Sequence, residues 1–228
     1  MAVQAILLDI EGTTTPIAFV HTTLFGYARA RVQEFLERHE ADPDVQSDIA
    51  LLRAEHAAES PPPNPPMASV SAYVHWLIDH DRKSTGLKSL QGKIWHEGYG
   101  AAELVGELYP DVALALKRWQ ERGTDIAIFS SGSVQAQRDL FAHSTTGDLT
   151  PLIHAYFDTT TGPKSAPQSY SGIAAVLGHP PASVLFVSDV AAELDAAQGA
   201  GMQTRLCVRG PNAPAAHGHL VIHSFDDL

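Results

Sequence analysis

The stretch Val3-Gln4-Ala5-Ile6-Leu7-Leu8-Asp9-Ile10-Glu11-Gly12-Thr13-Thr14 decides how the rest of the chain is read. An apolar run from Val3 to Leu8 stops at an acid, and the residues beyond it include small, hydrogen-bonding ones. So short and largely apolar a run fits a strand buried on both faces, as parallel sheets require. Its end delivers two carboxylates, Asp9 and Glu11, to a turn, and period-two alternation would point both the same way. Taken alone, the acidic pair is better read as a helix cap or a solvated turn.

Working outward, the pattern recurs. Asp125 to Phe129 precedes Ser130-Ser131-Gly132-Ser133, Val184 to Val187 precedes Ser188-Asp189, and Thr204 to Val208 precedes Arg209-Gly210-Pro211. Helical patterns lie between these runs. Pro110 to Arg122 carries Val112, Leu114, Leu116 and Trp119 and stops at Gly123; Tyr170 to Leu177 is helix-like; Glu193 to Ala200 stops at Gly201. Strands alternating with helices predict an α/β fold on a parallel sheet.

Residues 18 to 107 break the alternation and read as consecutive amphipathic helices, interrupted by Ser60-Pro-Pro-Pro-Asn-Pro-Pro66. The expected organisation is an α/β core of residues 1–17 and 108–228 with a helical cap domain, 18–107, inserted after the first strand. Ligands of such sheets bind beyond the strand ends, which places the expected site between core and cap. The proline run is read as a cap loop, with a polyproline recognition segment as the alternative. No internal repeat is found.

Composition narrows the function. Of 228 residues, 15 are Lys or Arg and 26 are Asp or Glu, a formal charge of −11. That charge, with no basic cluster, argues against nucleic-acid or membrane-surface partners, both of which need cations. One cysteine, Cys207, excludes an internal disulfide framework and a multi-cysteine zinc site. No apolar run approaches the length of a membrane span or a secretory leader, so a cytoplasmic protein is expected.

The other strand ends supply the remaining chemistry. Ser130, Ser131 and Gly132 offer hydroxyls and backbone N–H groups where a helix begins, a setting that binds anions or simply caps the helix. Lys164 sits in the loop Thr161-Gly-Pro-Lys164, where solvated lysines are commonplace. Asp189 is followed by Glu193 about one helical turn on, otherwise read as a first-turn acid facing the helix dipole. His217-Gly-His219 lacks carboxylates or cysteine at ligand spacing and is read as non-functional. Gln91, Lys93, Trp95 and Glu97 of the insertion are weighed as ligand contacts and not assigned to the site.

The order acid pair, serine, lysine, acid resembles the haloacid dehalogenase superfamily. Leu7-Leu-Asp-Ile-Glu-Gly-Thr-Thr-Thr-Pro-Ile17, Phe129-Ser-Ser-Gly-Ser-Val-Gln-Ala-Gln137 and Val187-Ser-Asp-Val-Ala-Ala-Glu-Leu-Asp-Ala-Ala197 are similar to the enolase-phosphatase family of methionine salvage, as is Leu90-Gln-Gly-Lys-Ile-Trp-His-Glu-Gly-Tyr99. Gly26, and the Ser-Ala-Pro-Gln that follows Lys164, depart from that family's pattern.

The resemblance implies one Mg²⁺ per chain held by Asp9, Asp189 and an oxygen of Glu11. It implies Asp9 as nucleophile, Glu11 as acid/base, Lys164 as both phosphate ligand and charge neutraliser, Ser130, Ser131 and Gly132 as phosphate ligands, and Glu193 orienting Lys164 or the metal's waters. The implied reaction is enolisation of 2,3-diketo-5-methylthiopentyl-1-phosphate followed by loss of phosphate to give an acireductone; a monomer is expected. The rival readings are a Mg²⁺-dependent phosphatase of another small ester, a metal-independent dehalogenase using Asp9, and a catalytically silent phosphate-binding module.

Overall fold

In a computed structural model the described residues are 2–59, 69–80, 82–210 and 218–228; the proline run and His217 lie outside them. The chain divides into two compact units, Met1–Ile17 with Val105–Leu228, and Ala18–Leu104.

The first unit carries six strands among the described residues: β1 Ala5–Leu8, β2 Asp125–Phe129, β3 Ala155–Phe157, β4 Val184–Ser188, β5 Gln203–Cys207 and β6 Leu220–Ile222. They form one sheet in the order β3-β2-β1-β4-β5-β6, every neighbour parallel. From β1 the chain winds outward through β2 to β3, then returns to β4 and winds the other way. The direction reverses between β1 and β4, which is where open α/β sheets leave a crevice beyond their strand ends. Asp9 follows one of these strands and Asp189 the other.

Sheet and helices share one core. Leu7, Phe129, Phe186 and Leu206 meet Tyr170 and Ile173 of α7 (Pro167–Leu177) and Leu194 and Ala197 of α8 (Ala191–Gly199). Helix α5 (Val112–Glu121) packs on β2, burying Leu116 and Trp119, and α6 (Val134–Ala142) packs on β3.

Four of the strands were legible as apolar runs. β3 is only three residues long, and its pairing of Ile128 with Tyr156 makes it a strand. β6 lies at the sheet edge with Leu220 and Val221 exposed, so it lacks the burial signal of the inner strands.

The second unit contains a π-helical turn, Phe19–Leu24, running into α1 (Phe25–Arg38), then α2 (Pro43–Ala58), α3 (Val70–Asp79) and α4 (Thr85–Gly100). Asp42, Ser69 and Ser84 cap α2, α3 and α4, each side chain accepting a backbone N–H of the first turn. The α1/α4 approach is close: a Cβ on Gly98 would lie 2.7 Å from the Tyr27 ring. Trp95 is buried, stacks on Phe25 at 6.2 Å and donates its indole N–H to Leu24 O at 2.8 Å, so its role is packing. Lys93 pairs with Asp48, and Glu97 with Arg38 at 2.7 Å and His39 at 2.5 Å, so both charges are engaged inside the helical unit.

Phe186, fully buried in β4 with the Tyr170 ring 5.0 Å away, anchors the core beneath the sheet's central crevice. Phe186→Ala should lower the unfolding free energy by about 3–5 kcal/mol, read from urea denaturation.

Candidate active site

Strand pairing ends at Leu8, and the chain folds at once into a tight turn. The N–H groups of Thr13, Thr14 and Thr15 all reach Ile10 O, at 3.2, 2.9 and 2.9 Å, and Gly12 N donates to Thr15 O at 2.8 Å. Gly12 adopts φ 72°, and an added Cβ there would overlap the Asp189 carboxylate, so only glycine lets the turn lie against that acid. The turn separates the acidic pair: Asp9 is buried and Glu11 is exposed. Strand alternation therefore fails for them, because the strand stops before either residue.

Lys164 reaches the same place from the β3–α7 loop. Its ammonium lies 2.5 Å from Asp9 Oδ1 and 2.7 Å from Glu193 Oε2, and its side chain is only 9% exposed. Ser169 Oγ donates to Pro163 O at 2.8 Å, and Tyr170 donates its phenol to Lys164 O at 2.8 Å. These bonds fix the loop despite its unusual Ser-Ala-Pro-Gln continuation. Burial alone would lower the lysine's pKa, but the charges of Asp9 and Glu193 outweigh it and raise the pKa overall, so the group stays an ammonium. Burial, with Glu193 and Asp9 nearby, pushes the Tyr170 phenol well above its usual range, and it remains a donor.

Helix α8 begins at Ala191, which puts Glu193 in its first turn, where it also accepts from Ser188 Oγ at 3.2 Å. Its pKa is raised by burial and then by Asp9, against the pull of Lys164. Asp189 takes its backbone anchor from Thr13: Asp189 N donates to Thr13 Oγ1 at 3.0 Å. Its own Oδ1 is buried without a hydrogen-bond partner among the described residues. Burial, then Asp9, push its pKa up to about 7.

The serine loop follows β2. Ser130 is buried, its N–H bonded to Phe157 O at 3.2 Å and its Oγ accepting from Gly132 N at 3.2 Å. Ser131 is exposed. The residue that caps α6 is Ser133, whose Oγ accepts from Ala136 N, which leaves the Ser130 and Ser131 hydroxyls outside the helix cap. Gln137, buried in α6, donates from Nε2 to Gly132 O at 2.9 Å and to Phe157 O at 2.8 Å, tying the loop to the end of β3. Sequence reading passed over Gln137, Thr13 and Tyr170, since their roles rest on partners distant in the chain.

His219 lies away from this chemistry, bonded to Thr204 Oγ1 at 2.8 Å and Asp195 Oδ1 at 3.0 Å. Among the described residues no three His, Cys, Asp or Glu side chains gather in a metal-holding group, and no helix is long and apolar enough to cross a membrane.

The donor set nevertheless fits a hard cation. Asp9, Asp189 and Glu193 interact electrostatically around one ammonium, and Asp189 Oδ1 is a buried acceptor with no donor among the described residues. A cation beside Asp9 and Asp189 would draw its other oxygens from backbone, water or ligand.

The raised pKa of Asp189 sets a pH dependence. The folded chain holds that proton more tightly than the unfolded chain does, so the group favours folding below its ordinary value of 3.8. That contribution is lost as pH rises toward about 7. In chelator, the melting temperature should therefore fall through this window, and Asp189→Asn should remove part of the fall. Parallel melting curves for the two proteins would show that Asp189 carries no such strain.

Comparison with known proteins gives this geometry its context. Residues 3–201 match the model of the haloacid dehalogenase-like hydrolases. An enolase-phosphatase E1 of Synechococcus elongatus is 56% identical over 234 residues, covering 100% of this chain and 98% of the relative. The enolase-phosphatase E1 of Klebsiella oxytoca is 46% identical, covering 99% and 96%. The crystal structure of the UTR4 protein of Saccharomyces cerevisiae superposes with a TM-score of 0.79 at 34% identity, over 99% of this chain and 100% of that one. CbbY of Rhodobacter sphaeroides, 18% identical over 99% of this chain and 96% of its own, shares the fold at a TM-score of 0.61. The Synechococcus elongatus and Klebsiella oxytoca relatives both carry the name enolase-phosphatase E1, and the chain belongs to the haloacid dehalogenase-like hydrolase family.

Proposed function

We propose that the protein is a Mg²⁺-dependent enolase-phosphatase of methionine salvage that converts 2,3-diketo-5-methylthiopentyl-1-phosphate to an acireductone and phosphate. The observation that carries the phosphatase half is the buried Lys164 ammonium 2.5 Å from Asp9 Oδ1. Full-length identity of 56% to an enolase-phosphatase E1 supports the specific substrate.

Asp9 is the nucleophile. Its carboxylate attacks phosphorus, the ester oxygen leaves, and water hydrolyses the resulting aspartyl-phosphate. Lys164 pairs with Asp9 before the ester arrives and then neutralises charge building on the phosphoryl oxygens. Ser130 and Ser131 supply hydroxyl donors to those oxygens, and the Gly132 N–H joins them when it leaves Ser130 Oγ. Glu11, exposed at the turn, protonates the departing oxygen and later takes a proton from water. Glu193 orients Lys164.

One Mg²⁺, held by Asp9, Asp189 and an oxygen of Glu11, would supply positive charge to the phosphoryl transition state and to the enediolate. The domain reading, a core of 1–17 and 108–228 with a cap over 18–107, belongs to the same proposal, as do a monomeric state and a cytoplasmic location.

Supplying the diketone phosphate and following acireductone absorbance alongside phosphate release tests the reading. Phosphate release with no acireductone would reduce it to an ordinary phosphatase. Asp9→Asn should lower kcat on the order of 10⁴-fold or more. A variant turning over like wild type would overturn the nucleophile assignment. Lys164→Ala should cost about 10²–10³-fold in kcat/KM, measured under saturating Mg²⁺.

A further inference from the structure

Arg209, just beyond β5, is almost fully withdrawn from water: its side chain is 8% exposed. Its guanidinium carbon lies 4.5 Å from the ring centroids of both Tyr109 and Phe225. Nη1 pairs with Asp111 Oδ2 at 2.7 Å, and Nε donates to Thr13 O at 3.0 Å. Nη2 is buried with no partner among the described residues. Stability alone is a poor reason for such a group, since a buried ion pair is often no better than apolar packing and an unused donor costs free energy.

The clamp around Arg209 is built from the C-terminal segment. Asp111 also accepts from Phe225 N at 2.6 Å and Ser224 Oγ at 3.0 Å, and Arg118 Nη2 donates to Phe225 O at 2.7 Å. Tyr109, whose ring also lies against the guanidinium, donates its N–H to Thr14 O at 3.0 Å. Thr13 and Thr14 are therefore both gripped from outside the site. Thr13 in turn holds Asp189 by its backbone, and Gly12 lies against the Asp189 carboxylate.

We propose that Arg209 is a positioning residue for Asp189: packed against the Tyr109 and Phe225 rings, it fixes the Gly12–Thr13 turn that aims this carboxylate, making the C-terminal segment Ser224–Asp227 a structural part of the cation site. The inference rests on the proposed Mg²⁺ site. Arg209 touches neither substrate nor metal and acts through Thr13.

The test is Mg²⁺ binding to the full-length chain, followed by calorimetry and by the Mg²⁺-dependent rise in melting temperature. Arg209→Ala should weaken Mg²⁺ about tenfold or more, as loss of a residue that orients a ligand does. Arg209→Lys keeps a cation for Asp111 but lacks the fork that reaches Thr13 as well, and should weaken Mg²⁺ several-fold. If Arg209→Ala fails to fold, Arg209→Lys decides the matter by the same titration.

A merely structural arginine would lower the metal-free melting temperature and leave both the Mg²⁺ affinity and the Mg²⁺-dependent rise at wild-type values, which would overturn the proposal. Asp189→Asn separates the two levels. If it binds Mg²⁺ as wild type does, the cation site itself is misassigned; if it loses Mg²⁺ while both Arg209 variants keep it, only the positioning role fails.

Discussion

The site depends on one buried ammonium among carboxylates. Lys164 sits 2.5 Å from Asp9 and 2.7 Å from Glu193, with Asp189 close enough for the Asp9 charge to raise its pKa. Gathering like charges in a poorly solvated place is unfavourable, and one lysine does not neutralise them all. What holds them there is the sheet: β1 and β4 are adjacent and parallel, so the residues after Leu8 and Ser188 emerge side by side. The core beneath, with Phe186 and Tyr170 at its centre, maintains that placement at the expense of local electrostatic comfort.

This reconciles an acidic protein with a phosphate ester. A formal charge of −11 repels polyanions over the surface as a whole. Within the site the sign is set locally, by Lys164, and Asp189 Oδ1, a buried acceptor without a hydrogen-bond partner among the described residues, suits a further positive charge. An acid-rich cluster of this kind favours cations, and in the proposed reaction it is their charge, with that of Lys164, that an anionic ester would meet.

Much of this was legible in the residues. Strands β1, β2 and β4 announced themselves because burial on both faces favours apolar runs, and their ends carried Asp9, Ser130 and Asp189 in plain view. β3 and β6 were not legible as strands: three residues carry too little pattern, and an edge strand needs no burial. The pairing of Asp9 with Glu11 by strand alternation failed, since hydrogen bonds to Ile10 O close the chain into a turn before the alternation can act.

The sequence by itself determined the fold class, the resemblance to a phosphatase family and the identity of the polar groups at the strand ends, because periodicity and motif order are local properties of a chain. Only the tertiary structure decided which of those groups meet. Lys164 reaches Asp9 across 155 positions, Thr13 holds Asp189 across 176, and Arg209 grips Thr13 across 196. Those contacts arise from strand order in the sheet and from the clamp made by Tyr109, Asp111 and Phe225. No local pattern encodes them, since each is a meeting of segments that only the folded core brings within hydrogen-bond distance.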